Sequence, residues 1–151
     1  MRRTKGRMTL CITAIALLLL FIWGNSCLPG KLSGALSGWL SGLLGLMPSD
    51  PSTGHGILRK LAHFTEFALL GVCLCWLFGM LGKPFPIPLL CGFLVACTDE
   101  IIQCVIPDRG PAFTDVLIDT AGVAVGIGLL LGVFVIYKKK NQLQYLEETK
   151  L

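Results

Sequence analysis

The sequence predicts an all-α membrane protein built as a bundle of four transmembrane helices. Of its 151 residues, 54% are hydrophobic and only 15% are charged, and the mean hydropathy is +0.74. A soluble domain has about a quarter of its residues charged. The apolar residues also form long runs, unlike the alternating pattern of a half-buried strand. Both observations make a lipid bilayer the natural solvent of this chain.

Four apolar runs are suited to crossing about 30 Å of hydrocarbon, which takes about 20 helical residues. They comprise residues 8–23, 57–81, 87–106 and 115–137. The first run follows a basic stretch, which is also typical of a signal peptide. However, no A-x-A cleavage pattern follows it, and residues 24–27 lack the aliphatic residue of a lipobox. We therefore expect an uncleaved first span.

Basic residues in the short loops predict the orientation of these spans. A cytoplasmic N-terminus places nine basic residues inside: Arg2, Arg3, Lys5, Arg7, Lys83, Lys138, Lys139, Lys140 and Lys150. The four left outside are Lys31, Arg59, Lys60 and Arg109. An even number of spans then makes both termini cytoplasmic. The net charge of +4 follows from this topology and does not require a nucleic-acid partner.

The first outer loop, residues 27–56, contains an internal repeat of Leu-Ser-Gly at a period of four. On a helix this period places apolar side chains on one face and glycines on another. The apolar face comprises Leu32, Leu36, Trp39, Leu43 and Met47. We expect an amphipathic helix lying on the outer leaflet, with Trp39 at the interface. A flexible Gly/Ser loop is the alternative, because each interior glycine costs about 1 kcal/mol of helix stability.

Ionisable and polar side chains gather at one depth near the predicted outer face. They are Arg59, Lys60, His63 and Glu66 on the second span, Asp99, Glu100 and Gln103 on the third, Arg109 in the next loop, and Asp115 and Asp119 on the fourth. Charges within a bilayer cost about 2.5–3.5 kcal/mol each at a helix centre, so they normally face the protein interior. Gly122 and Gly126 continue the stripe of acids on the fourth span, and such a stripe favours close helix packing. We expect these acids to point inward.

The ordered set of motifs resembles the VanZ-like family over residues 57–137. The motifs are Lys60-x-x-His63-x-x-Glu66-Phe67, Asp99-Glu100-x-x-Gln103, Pro107-x-Arg109 and Asp115-x-x-x-Asp119-x-x-Gly122-x-x-x-Gly126. Phe67 stands where many members have Tyr, and Asp119 where many have Asn. The resemblance implies a bacterial cytoplasmic membrane protein, related to an accessory protein that gives modest resistance to the lipoglycopeptide teicoplanin. The predicted organisation is a basic N-terminus with the first span (1–26), an outer loop (27–56), a VanZ-like three-span core (57–137) and a cytoplasmic tail (138–151).

The first hypothesis for the cluster is a binding protein without turnover. Its partners would be membrane lipids, a lipid-linked wall precursor or a lipoglycopeptide. The ligand-binding residues would be Lys60, Gln103, Arg109, Asp115 and Asp119. Arginine suits this role because its planar guanidinium binds phosphate or carboxylate through two hydrogen bonds.

The second hypothesis is a membrane enzyme acting on a lipid headgroup or wall precursor. The catalytic residues would be His63, Glu66, Asp99 and Glu100, with His63 as a general base. A variant uses His63, Glu66, Asp99 and Asp115 to hold Mg²⁺, Ca²⁺ or Mn²⁺. The sequence shows no HExxH motif, Ser-centred elbow or paired Cys ligands. It identifies no cofactor, and the favoured interpretation assigns no metal ligand.

Two further interpretations stay open. Buried Asp, Glu and His residues form proton relays in transporters, but here the cluster stays on one side of the membrane. The cluster would otherwise be a structural cap of paired charges that fixes the helices to one another. A binding site and a cap differ in what a conservative substitution does, because a broken cap lowers abundance.

Overall fold

Five helices in chain order make up the described part of the protein. The computed structural model describes residues 2–43, 45, 51–110 and 112–148, and it describes their side chains except those of residues 2–3, 40–41, 51–56, 143 and 145–148. The helices are α1 (Arg2–Ser26), α2 (Gly30–Leu43), α3 (Pro51–Met80), α4 (Pro86–Cys104) and α5 (Phe113–Glu148). Within these ranges there is no strand, so the predicted all-α class is confirmed.

Four of the helices are long and apolar enough to cross a membrane. Their candidate spans are Thr4–Ser26, Ile57–Met80, Pro86–Cys104 and Phe113–Gln142. The prediction of a multi-pass protein with four spans is therefore confirmed, whereas its orientation stays a prediction. The fourth helix continues to Glu148, well past residue 137. Residues 138–148 lack Gly and Pro and are rich in Lys, Gln, Leu and Glu, which favour helix.

Helix α2 occupies the loop in which the Leu-Ser-Gly repeat predicts a helix. It covers Gly30–Leu43, and Met47 of the predicted apolar face lies outside the described residues. Leu36 and Trp39 are exposed, Trp39 with 67% of its surface accessible. That α2 lies on the membrane surface stays a prediction. The helix packs against α3.

Helix α3 is the centre of the bundle and makes its most extensive contact with α5. Their backbones approach closely at Gly122 and Gly126, as the small-residue stripe predicts. A Cβ atom added at Gly122 would meet the carbonyl oxygen of Phe64, and one at Gly126 would meet that of Ala68. The core around this contact contains Ile22, Phe67, Leu70, Leu74, Ala96, Val116, Val123 and Ile127.

The turn between α4 and α5 docks onto the start of α2. The backbone N–H of Gly30 donates to the carbonyl of Pro107 at 3.1 Å, and a Cβ at Gly30 would collide with the carbonyl of Asp108. Asp108 itself adopts φ 60°, which Asp tolerates better than most residues. We call this end of the bundle the polar end. It comprises residues 21–39, 58–66, 99–110 and 112–119.

Candidate functional site

His63 of α3 lies between two buried carboxylates at the polar end. Its Nδ1 is 3.7 Å from Oδ2 of Asp99 on α4 and 3.8 Å from Oδ2 of Asp119 on α5. These distances are too long for hydrogen bonds. Asp99 is 1% exposed and Asp119 is 3% exposed. Three helices therefore bring one imidazole and two acids to a single point, which we call the His-Asp-Asp triad.

A hydrogen bond from Gln103 holds the Asp99 carboxylate in place. Nε2 of Gln103, one turn along α4, donates to Oδ2 of Asp99 at 2.8 Å. The same nitrogen lies 3.3 Å from Oγ of Ser26 at the end of α1. Gln103 and Ser26 are both buried. The Asp99 carboxylate is thus oriented by contacts with its own helix and, through Gln103, with α1.

The remaining acids predicted for the site have separate partners. Asp115 pairs with Lys60, with Oδ1 and Nζ 3.5 Å apart. Glu100 accepts a hydrogen bond from the backbone N–H of Ala112, the residue that precedes α5. Asp115 therefore does not join the triad. Of the four metal ligands predicted as a variant (His63, Glu66, Asp99 and Asp115), Asp115 is paired with Lys60 and Glu66 is hydrogen-bonded to Asn25.

Glu66 is held by Asn25 of α1. Nδ2 of Asn25 donates to Oε1 of Glu66 at 3.2 Å. The other carboxylate oxygen, Oε2, is buried and has no hydrogen-bond partner among the described residues. The single described hydrogen-bond donor to Glu66 therefore lies on α1, outside the family motifs of residues 57–137.

Asn25→Ala is expected to lower the free energy of unfolding by about 1–3 kcal/mol, because it leaves both oxygens of Glu66 without a described donor. Thermal unfolding of the purified protein in detergent measures the effect. In a Glu66→Met background the same substitution should cost much less, because one hydrogen bond cannot be lost twice. Equal costs in the two backgrounds would show that the bond contributes nothing.

Arg109 ties the turn before α5 to the end of α1. Its Nε donates to the carbonyl of Leu28 at 3.1 Å, and its Nη2 donates to the carbonyl of Asn25 at 3.0 Å. Its third nitrogen, Nη1, is buried without a partner among the described residues. Burial lowers the pKa of Arg109, and the nearby charge of Arg59 adds to this. Arginine nevertheless keeps its charge at any working pH.

A groove of about 350 Å³ opens beside these residues, between α1, α2 and α3. One part of its wall is apolar and the other is polar. The apolar residues include Phe21, Leu28, Leu36, Trp39, Leu58 and Ala62, and the polar ones include Asn25, Arg59, His63, Glu66 and Arg109. The groove is thus apolar along one part of its wall and charged at the other, where His63 of the triad lies.

Sequence reasoning missed the contributions of α1 and α2. Asn25 and Ser26 bind site residues, and Leu36 and Trp39 line the groove. A signal for the first pair existed, because two polar residues end an apolar span at the predicted depth of the cluster. The groove wall had no such signal, since apolar residues on an exposed helix face do not indicate their neighbours.

Comparison with known proteins gives one result. Searches of the curated proteins and of the solved structures find no match to the chain. A family model described as VanZ/LLP1 matches residues 10–137. This range begins in α1, so it extends beyond the motifs of residues 57–137 and also covers most of the first span and α2. Because the match covers most of the sequence, the chain belongs to the VanZ/LLP1 family.

Proposed function

We propose that this membrane protein binds an anionic amphiphile of the cell envelope in the groove between α1, α2 and α3. The observation that carries the proposal is the shape and chemistry of the groove. Its apolar wall suits an acyl or prenyl chain, and its charged end suits a phosphate or carboxylate headgroup. The polar end would face the extracytoplasmic side of a bacterial cytoplasmic membrane, as the distribution of basic residues and the family resemblance favour.

Two arginines give the charged end its preference for an anion. Arg59 and Arg109 both line the groove. The Nη1 atom of Arg109 is buried without a described partner, and an oxyanion would supply the missing acceptor. Since a buried donor without an acceptor costs about 1–3 kcal/mol, the bound anion would recover this energy. A zwitterionic headgroup would bring its own positive charge close to the same arginines.

Arg59→Gln tests the proposal, because Arg59 lines the groove and Gln keeps much of its length. We expect native mass spectrometry of the purified protein in neutral detergent to show bound farnesyl phosphate and phosphatidic acid in preference to phosphatidylcholine. Arg59→Gln should weaken binding of the two anionic probes at least about tenfold, which corresponds to 1.4 kcal/mol.

Lys31→Gln is the matched control, since Lys31 is an exposed cation of the same end that pairs with Asp108 and does not line the groove. It should bind within about twofold of the wild type. Equal binding of phosphatidylcholine and the anionic probes, or equal losses in the two variants, would refute a specific anion site.

The family resemblance extends the proposal to protection against teicoplanin, an amphiphilic lipoglycopeptide with a carboxylate that the arginines could bind. Cells producing the wild-type chain should then be less susceptible than cells producing Arg59→Gln at the same membrane abundance. Lost protection with parallel loss of abundance would instead indicate a structural cap.

One observation favours an enzyme as the second candidate. His63 lines the groove and faces two buried carboxylates, an arrangement that suits a general base acting on a bound headgroup. A binding role tolerates His63→Gln, because the arginines remain. Catalysis predicts that His63→Gln keeps farnesyl phosphate bound while turnover of the natural headgroup is lost.

A further inference from the structure

We propose that the His-Asp-Asp triad is a binding site for one divalent cation. One ligand atom from each of His63, Asp99 and Asp119 lies within 4.8 Å of the other two. A cation about 2.0–2.3 Å from each donor requires donors no farther apart than roughly 4.6 Å. The 3.7 and 3.8 Å separations of His63 from the two acids meet this condition, and the separation of the two acids, at most 4.8 Å, needs only a small side-chain adjustment. This inference is independent of the amphiphile proposed above.

Unsatisfied oxygens of the two acids point to a ligand. Oδ1 of Asp99 and Oδ1 of Asp119 are both buried and have no hydrogen-bond donor among the described residues. Two carboxylates at 1% and 3% exposure can both be ionised only beside a counter-charge, because they otherwise repel one another and one of them is expected to hold a proton. A neutral imidazole does not supply that charge, whereas a divalent cation balances both carboxylates.

The space at the triad also suits a single ion. A cavity of about 10 Å³ is lined by Arg59, Lys60, His63, Asp115, Ile118 and Asp119, which is about the volume of one water or ion site. Lys60 also lines this cavity, and its ammonium group is paired with Asp115. The cavity therefore reaches two of the three proposed ligands without requiring a rearrangement of the helices.

The surroundings of the ligands match those of a metal site. Asp99 is oriented by a 2.8 Å hydrogen bond from Gln103, the kind of outer contact that fixes a metal-binding carboxylate. One imidazole nitrogen with two carboxylates suits Mn²⁺ or Zn²⁺ better than Mg²⁺ or Ca²⁺, which prefer oxygen donors alone. Three protein ligands leave coordination positions open. Because His63 also lines the groove, an oxygen of a bound headgroup could take one of them.

Mn²⁺ titration of the full-length protein, stripped with chelator and kept in detergent without added lipid, tests the site. Loss of the free Mn²⁺ signal in electron paramagnetic resonance measures binding. We expect one Mn²⁺ per chain, and Asp119→Asn should weaken binding at least tenfold because it removes one charged ligand. Asp108→Asn, which removes an exposed acid of the same end, should remain within about threefold of the wild type.

Thermal unfolding provides a second readout, in which the effect of Asp119→Asn depends on whether metal is present. Without metal, Asp119→Asn should unfold at the same or a higher temperature than the wild type, because a neutral amide avoids the repulsion between two facing carboxylates. With saturating Mn²⁺ the unfolding temperature of the wild type should rise by roughly 5 °C, and that of Asp119→Asn should rise much less.

Three outcomes would overturn the proposal. The first two are absence of saturable binding and unchanged affinity in Asp119→Asn. The third is an Asp119→Asn protein destabilised without metal, which would indicate an imidazolium of His63 paired with both acids. Failure here leaves binding of farnesyl phosphate at Arg59 untouched, so the two proposals are tested separately.

Discussion

Gly126→Leu is expected to prevent the bundle from assembling, with a loss of about 3 kcal/mol or more and a large fall in membrane abundance. A Cβ at this position would meet the carbonyl oxygen of Ala68. That atom belongs to the backbone of α3, so it cannot be moved aside as a side-chain tip can. Separating α3 from α5 would also pull Asp119 away from His63. Abundance in membranes and thermal unfolding in detergent measure the effect.

Gly128→Leu is the matched control, because it adds the same side chain to the same helix only two residues away. No heavy atom lies within 4 Å of a Cβ added there, and the position is exposed. The variant should resemble the wild type in abundance and unfolding temperature. Equal damage from the two substitutions would mean that added bulk or altered insertion of α5, and not contact with α3, explains the loss.

Arg109→Met is expected to lower the free energy of unfolding by about 3 kcal/mol. The substitution keeps an apolar stem but leaves the carbonyls of Leu28 and Asn25 without their donors, and hydrogen bonds from a charged group contribute about 1.5–3 kcal/mol each. The stability of Arg109→Lys should lie between those of the wild type and Arg109→Met, because a lysine ammonium lacks the planar guanidinium geometry that reaches two carbonyls. Thermal unfolding of the purified variants in detergent measures both losses.

The control for Arg109 is Lys31→Met, which removes a cation from the same end of the bundle. The Lys31 side chain is 87% exposed and its ion pair with Asp108 spans 3.7 Å. Exposed pairs of this kind contribute little, so the change should stay within about 1 kcal/mol. An Arg109→Met protein as stable as Lys31→Met would show that the turn is held to α1 by other contacts.

The sequence predicts the spans well because bilayer thickness fixes how long an apolar helix must be. It also predicts that His63, Asp99 and Asp119 share a depth, since depth follows from position along each span. The close contact at Gly122 and Gly126 is predicted for a similar reason. Small residues at a period of four mark one face, and that face can approach another helix.

The sequence does not predict which polar residues become partners, because depth leaves the rotation and neighbours of each helix undetermined. Lys60 has acids at a similar depth on two other helices, and the packing of α3 against α5 selects Asp115. Asn25 reaches Glu66 only because α1 docks beside α3. The groove depends on α2 packing over the same region, where Gly30 meets the turn at Asp108. Contacts between segments that are distant in the sequence determine both of these pairings and the shape of the groove.

The pairing of charges between helices has a consequence for biogenesis. Helices enter the membrane in chain order, so α3 delivers Lys60 and His63 before Asp99, Asp115 and Asp119 exist in the bilayer. Among the ionisable residues of α3, Glu66 differs, because its hydrogen-bond partner Asn25 belongs to α1 and is already inserted. Lys60 therefore lacks its partner Asp115 until α5 is inserted. A chain that stalls before residue 113 would leave the ammonium group of Lys60 unpaired, so insertion of α5 completes the charge pairing at the polar end.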